Sequence, residues 1–200
     1  SDVGCVRPHN EDSYLVQSPL FCVCDGMGGH AAGEVASSIA VETIAKTAPQ
    51  SADAARLAAA VEAANAAVIE AALNGLGKPG MGCTATCAYI ENDPLAIAHG
   101  GDSRAYLLHE GTLIRVTRDH SYVEELVDAG EITADEARVH PNRSVITRAL
   151  GSDPAMYADH FTLHIEEGDR LILCSDGLSS MIPDSDIENI ATQSSTAQIC

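Results

Sequence analysis

Three apolar segments of this chain each run into an aspartate that has a glycine beside it. The segments LFCVC, PLAIAHGG and LILCS are followed by Asp25, Asp102 and Asp176. Such ends could be polar turns and nothing more, because Asp-Gly is a common turn dipeptide. If the three ends lie at one edge of the sheets, however, like charges converge there and raise each other's pKa values. A divalent cation removes that conflict, so the pattern favours a metal site.

A further acidic pair precedes the first of these segments and could join the same cluster. Glu11 and Asp12 follow Asn10 near a predicted hairpin. A ligand set made of oxygen atoms selects Mg²⁺, Mn²⁺ or Ca²⁺ over zinc or copper. The acidic residues therefore predict a site for hard divalent cations.

The cysteines argue for reduced, buried thiols rather than for a zinc or disulfide framework. No two of them form a CxxC pair, which disfavours zinc-ribbon and thioredoxin-like sites. Small buried thiols explain their positions on apolar segments, and free thiols are typical of a reducing compartment such as the cytoplasm. The seven are Cys5, Cys22, Cys24, Cys83, Cys87, Cys174 and Cys200.

Composition limits the class of protein to which the chain can belong. The 200 residues, of which 46% are hydrophobic, are enough for one domain with a sizeable core. A formal net charge of −18 argues against a nucleic-acid partner, since phosphate backbones bind basic surfaces. No apolar run approaches the length of a membrane span, and no signal peptide is evident.

The order of periodic segments predicts an α+β layered sandwich with helices outside two antiparallel sets of strands. The elements expected in chain order are a hairpin that turns at 17–19, Ala-rich helices over 31–47 and 52–74 with Ser51 as N-cap, an antiparallel meander of four strands from Gly82 to Arg118, two short helices over 121–139, a hairpin that turns at 167–169, and a helix over 183–191. The three aspartates lie at the ends of predicted strands.

With these motifs in their order, the chain resembles the metal-dependent protein phosphatases (PPM, or protein phosphatase type 2C), in particular the bacterial single-domain members. The resemblance extends from Asp2 to about Ala191. It is carried by Arg7-x-x-Asn10-Glu11-Asp12, Asp25-Gly26-Met27-Gly28-Gly29-His30, Gly82-x-Thr84-Ala85, Gly101-Asp102-Ser103-Arg104, Asp119-His120, Thr147-Arg148-Ala149-Leu150-Gly151 and Ser175-Asp176-Gly177-Leu178. One such match is weak evidence, whereas the ordered series is specific.

The resemblance implies a four-layer α-β-β-α sandwich of two antiparallel sheets flanked by helices, with a centre of two Mn²⁺ or Mg²⁺ ions at one end. Asp25 would bridge the ions, and Gly26 would offer its carbonyl. Asp102 would help to hold a third, weaker ion. The full set of implied metal-site residues is Glu11, Asp12, Asp25, Gly26, Asp102 and Asp176.

The implied reaction is hydrolysis of phosphoserine or phosphothreonine in proteins by a hydroxide that bridges the metals. Arg7 would grip the phosphate, the alternative being a surface ion pair with Glu11 or Asp12. His30 would protonate the leaving oxygen, or else orient metal-bound water. Expected partners are phosphorylated substrates of a serine/threonine kinase. Structural roles are expected for His120, at the base of the flap, and for Arg104 and Arg148, as ion-pair partners. The alternative for either arginine is to influence the approach of phosphate.

The sequence departs from the family pattern at both ends. Residues 1–200 are expected to form a single phosphatase domain that is incomplete at its C-terminus, with 121–147 as a flap subdomain. The family's last Asp-Asn motif and an outer first strand are not found in the sequence. Loss of a ligand predicts weaker metal binding, and exposed sheet edges predict self-association. The alternative function is therefore a catalytically weakened domain that binds phosphoproteins.

Overall fold

The larger sheet begins with the hairpin that the sequence predicts. The computed structural model describes residue 3 and residues 9–28 and 32–193. Strands β1 (Ser13–Gln17) and β2 (Leu20–Cys24) are antiparallel neighbours, joined through 18–19. Side chains alternate along β2, so that Leu20, Cys22 and Cys24 are buried on one face. The alternation places Asp25 just past the end of the strand.

The remaining elements follow in chain order. They are β3 (Gly26–Met27), α1 (Ala32–Thr47), α2 (Ala54–Leu73), β4 (Gly82–Cys83), β5 (Ala85–Ile90), β6 (Pro94–Gly100), β7 (Arg104–His109), β8 (Thr112–Arg115), α3 (Tyr122–Asp128), α4 (Ala134–Val139), β9 (Asp159–His164), β10 (Arg170–Cys174), α5 (Asp176–Ser179) and α6 (Asp184–Gln193). None of the helices in the described ranges is long and apolar enough to cross a membrane.

Two antiparallel sheets pack between helices, as the resemblance implies. The larger sheet has the order β1-β2-β5-β6-β9, and the smaller sheet has the order β10-β7-β8. The Ala-rich faces of α1 and α2 pack on the larger sheet, where small side chains such as Ala36 and Ala40 allow close approach. On the outer face of the smaller sheet, Ile187 of α6 packs with Tyr106 and Cys174. This arrangement gives the helix–sheet–sheet–helix order.

Three local predictions are wrong. The N-cap of α2 is Asp53, which accepts a hydrogen bond from the Arg56 amide, and not Ser51. The predicted meander is divided, because β5 and β6 belong to the larger sheet whereas β7 and β8 belong to the smaller. The predicted second hairpin is also divided, since β9 pairs with β6 and β10 pairs with β7. Period-two alternation identifies strands but does not say which sheet each joins.

The crossings between sheets position the site. The chain passes from the larger to the smaller sheet between β6 and β7, through Gly101, Asp102 and Ser103. Asp102 is 8% exposed there. Because β2 and β6 lie in the same sheet and run antiparallel to the β5 strand between them, their C-terminal ends meet at one edge. Asp25 and Asp102 therefore lie on the same side of the sandwich.

Candidate metal centre

Asp25 occupies a fixed backbone position between β2 and β3. Its amide donates to Thr84 Oγ1 at 2.9 Å, and its carbonyl accepts from the Thr84 amide at 2.9 Å. The adjacent Gly26 has no room for a side chain, because a Cβ there would collide with the carbonyl oxygens of Gly33 and Glu11. Strand pairing and this tight packing hold the Asp25 main chain in place.

Carboxylates from four parts of the chain converge at this edge. The side chains of Asp25 and Asp176 share a hydrogen bond, and the charges of Asp12 and Asp102 also act on Asp25. Asp12 Oδ2 accepts a hydrogen bond from Ser175 Oγ at 3.0 Å, which places it beside the start of α5. The structure thus brings together the three strand-end aspartates of the sequence, with Asp12 as a fourth.

The carboxylates of the cluster lie close enough for their negative charges to raise one another's pKa values. Burial, together with the charges of Asp12 and Asp176, raises the pKa of Asp25 to about 8. Burial and the charges of Asp176 and Asp119 raise the pKa of Asp102 to about 7. In the absence of a cation, protons relieve the repulsion. A divalent ion can take over that role.

The donor set fits one kind of metal better than others. No group of three or more His, Cys, Asp or Glu side chains within the described ranges is arranged as a ready-made metal site. The direct carboxylate pair is Asp25–Asp176, so the remaining coordination positions of an ion would fall to neighbouring carboxylates, main-chain oxygen and water. Mg²⁺ and Mn²⁺ suit oxygen donors, and Mg²⁺ usually keeps several waters. The close carboxylates and the raised pKa values of Asp25 and Asp102 are therefore compatible with a hydrated, oxygen-ligated ion.

Glu11 and Gly26 lie at the junction between this cluster and α1. A Cβ on Gly33, in the first turn of α1, would collide with Glu11 Oε2, so the Glu11 carboxylate lies over that turn. The Glu11 carbonyl accepts from Ser37 Oγ at 2.6 Å. Glu11 is consequently tied to the start of the helix, next to Gly26.

A buried pair of hydroxyl groups links the Asp25 turn to the Asp102 turn. Thr84 Oγ1, which accepts from the Asp25 amide, lies 2.6 Å from Ser103 Oγ. Both side chains are fully buried. The sequence motifs contained Thr84 and Ser103, but their contact was not predicted. Thr84 lies between β4 and β5 and Ser103 lies between β6 and β7, so no strand periodicity signals their contact.

The other residues singled out in the sequence divide into two groups. Arg7 and His30 lie outside the described residues. The ion-pair roles expected for two arginines are confirmed, since Arg104 Nη2 lies 2.7 Å from Asp119 and Arg148 Nη1 lies 2.5 Å from Asp159. Ser175, the N-cap residue of α5, was missed as a partner of Asp12.

Comparison with known proteins identifies the family. A family profile described as Protein phosphatase 2C matches residues 2–199. This chain belongs to the protein phosphatase 2C family. Within that family it is 43% identical over 193 residues to the serine/threonine protein phosphatase PstP of Mycobacterium tuberculosis, covering 94% of this chain and 37% of PstP. It thus spans little more than a third of the length of PstP.

Two further comparisons extend over most of both chains. The serine/threonine phosphatase stp of Listeria welshimeri is 38% identical over 202 residues, with 95% of this chain and 80% of that protein covered. A crystal structure of the catalytic domain of PstP in complex with two manganese ions superposes with a TM-score of 0.88 at 38% identity, covering 98% of this chain and 84% of that one. The predicted phosphatase 2C sandwich is confirmed. None of these comparisons supports the catalytically weakened alternative.

Proposed function

We propose that this protein is a metal-dependent phosphatase that removes phosphate from phosphoserine and phosphothreonine in other proteins. The observation that carries the proposal is the Asp25–Asp176 carboxylate pair, at the edge where the two sheets of a phosphatase 2C fold meet. Relatives named as serine/threonine phosphatases support the same activity. Mn²⁺ or Mg²⁺ is the proposed cofactor, since the PstP structure contains manganese.

Asp25 and Asp176 are the proposed carboxylate ligands of two ions, with Gly26 offering its carbonyl. Glu11 is proposed to act directly or through water, and Asp12 to support the metal-bound waters. Asp102 is proposed to help hold a third ion. Bound divalent ions would supply Lewis-acid stabilisation of phosphate charge and would activate water for attack. The Thr84 hydroxyl keeps the Asp25 amide in place, so that the carboxylate is positioned before any ion arrives.

The remaining roles belong to side chains that contact the substrate. Arg7 is proposed to bind two phosphate oxygens through its planar guanidinium group. His30 is proposed to donate a proton to the departing serine or threonine oxygen, because histidine titrates near neutral pH. Both roles come from the sequence motifs. The 121–147 segment, with its two short helices, is proposed as a flap beside the site.

The biological setting follows from the reaction and from the thiols. Phosphorylated proteins, made by a serine/threonine kinase, are the proposed substrates, and the setting is kinase signalling. A cytoplasmic location is proposed because the cysteines of the described residues are buried and free, which suits a reducing compartment. Self-association through sheet edges stays a prediction.

Hydrolysis of a phosphothreonine peptide by the full-length natural protein tests the proposal. Phosphate release should require Mn²⁺ or Mg²⁺ and should stop when EDTA is added. Asp25→Asn should lower the rate at least about a hundredfold, because it removes a charge that holds the metals. Circular dichroism of the variant should be unchanged.

The matched control is Asp93→Asn, which removes a carboxylate far from the cluster in a pair with His164 that is largely exposed. It should retain the wild-type rate. Hydrolysis that persists in EDTA, or full activity in Asp25→Asn, would contradict the proposal.

A further inference from the structure

His120 forms a closed pair of hydrogen bonds with Gly101. The His120 amide donates to the Gly101 carbonyl at 2.8 Å, and the Gly101 amide donates to His120 Nδ1 at 3.1 Å. His120 is 3% exposed, so water does not compete effectively for these groups. Both main-chain polar groups of Gly101 are therefore held by a single residue from a distant part of the sequence.

The hydrogen-bond partners of His120 determine its tautomer. An amide can only donate, so Nδ1 must be unprotonated and the ring proton of a neutral His120 lies on Nε2. Asp159 Oδ2, 3.1 Å from Nε2, accepts that proton. Arg148 Nη1 lies 2.9 Å from Nε2 but cannot accept a hydrogen bond, and it donates to Asp159 Oδ1 at 2.5 Å. The ring also stacks on His99, with centroids 4.9 Å apart. These contacts fix the orientation of the ring.

Glycine has a flexible main chain because it has no side chain, so the conformation at Gly101 depends on hydrogen bonds from other residues. Its φ of +118° lies in the region that favours glycine, and a Cβ would lie 2.6 Å from the Thr84 side chain. The next residue is Asp102, whose carboxylate lies within charge range of Asp176. The direction in which the Asp102 side chain leaves the main chain thus depends on the Gly101 peptide that His120 holds.

His120 also lies where the 121–147 segment begins and returns. Its carbonyl accepts from the Thr147 amide at 2.8 Å, and Ser121 forms a bridge with Ile146. One residue therefore contacts both the turn that carries Asp102 and the two ends of the proposed flap.

From these contacts we infer that His120 is a positioning residue for metal binding. Its Nδ1 holds the Gly101 amide and thereby aims the Asp102 carboxylate toward the ion that Asp102 helps to bind. This inference rests on the proposed function, in which Asp102 is a ligand. It goes beyond a packing role, because it assigns the effect to one ring nitrogen and one amide.

Two substitutions of His120 separate that nitrogen from the rest of the ring. In His120→Asn, Oδ1 lies near the position of Nδ1 and can still accept from Gly101. In His120→Gln, the amide group lies near the position of Nε2, so it can reach Asp159 but cannot take the place of Nδ1. Both variants remove the imidazole ring and its stacking on His99, so they are matched for the loss of packing.

Two measurements on the full-length protein test the proposed role of His120 Nδ1. Hydrogen exchange of the Gly101 amide, followed by NMR on metal-free protein, should be about tenfold faster in His120→Gln than in the wild type and close to wild type in His120→Asn. In calorimetric titrations with Mn²⁺, the weakest site should lose about tenfold in affinity in His120→Gln, and His120→Asn should restore it.

Equal exchange rates at Gly101, or equal Mn²⁺ affinity, in the two variants would overturn the inference. If His120→Gln does not fold, His120→Asn alone still tests the inference. Fast hydrogen exchange of the Gly101 amide in His120→Asn would contradict the role of Nδ1. Absence of Mn²⁺ binding by the wild type would instead overturn the proposed function, while the Gly101 exchange rates still test the hydrogen bond.

Discussion

At the scale of single residues, burial decides the charge state of the groups around the site. His99 lies in β6 and is 1% exposed, and its neutral ring donates from Nε2 to the Arg118 carbonyl at 2.9 Å. Burial and the neighbouring His120 lower the pKa of His99 to about 4. Burial shifts the pKa values of Asp25 and Asp102 in the opposite direction, upward, and so favours their protonated forms. The low-dielectric interior thus favours neutral forms of both.

The lowered pKa of His99 predicts loss of stability in acid. In the unfolded chain the histidine pKa is about 6.5, so the unfolded state binds the proton first as the pH falls. The stabilising contribution is therefore complete above about pH 6.5 and is lost as the pH falls from there toward 4. Between pH 7.5 and 4.5, wild type should lose about 2–3 kcal/mol more unfolding free energy than His99→Gln. Urea unfolding at both pH values measures the difference.

An exposed histidine provides the control for this comparison. The His164 side chain is 86% exposed, so His164→Gln should keep the wild-type pH dependence. Because Asp25 and Asp102 are present in all three proteins, their titration cancels in the comparison. A pH dependence in His99→Gln equal to that of the wild type would contradict the assignment.

The types of the site residues could be predicted from the sequence, but their direct contacts could not. Aspartates beside a glycine at the ends of apolar runs identified Asp25, Asp102 and Asp176, because strand ends are where carboxylates reach solvent. The bond from Ser175 to Asp12 joins residues that are far apart in sequence. No local periodicity reports such a pair. The hydroxyl contact between Thr84 and Ser103 escaped prediction for the same reason.

At the scale of elements, the main chain at the start of α1 packs directly against the main chain of β3. A Cβ on Gly33 would lie 2.6 Å from the Gly26 carbonyl carbon and 2.7 Å from the Met27 amide nitrogen. The main chains are so close at position 33 that a side chain there would have no room. This close contact explains why a helix that is otherwise rich in alanine has a glycine in its first turn.

We predict that Gly33→Ala destabilises the protein although alanine is the better helix former. Intrinsic propensity alone would stabilise the helix by about 1 kcal/mol. Overpacking against Gly26 and Met27 should outweigh this gain and give a net loss of about 1–3 kcal/mol in unfolding free energy. Chemical denaturation of the metal-free protein gives the value.

Ser38→Ala is the control, since Ser38 is exposed on the same helix. It should stabilise by a few tenths of a kcal/mol, about what propensity predicts. Stabilisation by Gly33→Ala of similar size would show that the close contact has no energetic consequence.

The elements themselves were largely predictable, whereas their assignment to sheets was not. Helices α1 and α2 and the first hairpin follow from alanine content and alternation. The pairing of β9 with β6 and of β10 with β7 depends on which faces the two sheets bury against each other. The turn at 166–169 does not distinguish a hairpin from a crossing between sheets, because its local hydrogen bonds suit both.

At the scale of the whole molecule, the sandwich concentrates negative charge where the sheets meet. The chain has a formal net charge of −18. Such a surface repels a phosphorylated peptide at long range, and salt screens that repulsion. Bound divalent ions reverse the sign of the potential locally. Substrate binding and metal binding are therefore expected to depend on each other.

The measurement that tests the central claim most directly is a calorimetric titration of the full-length protein with Mn²⁺. The Asp25–Asp176 pair predicts at least two bound ions in the wild type, with release of protons on binding at pH 7, because Asp25 is protonated in the metal-free state. Asp25→Asn should lose the tight binding, and Asp93→Asn should keep it. Unchanged stoichiometry and affinity in Asp25→Asn would contradict the account.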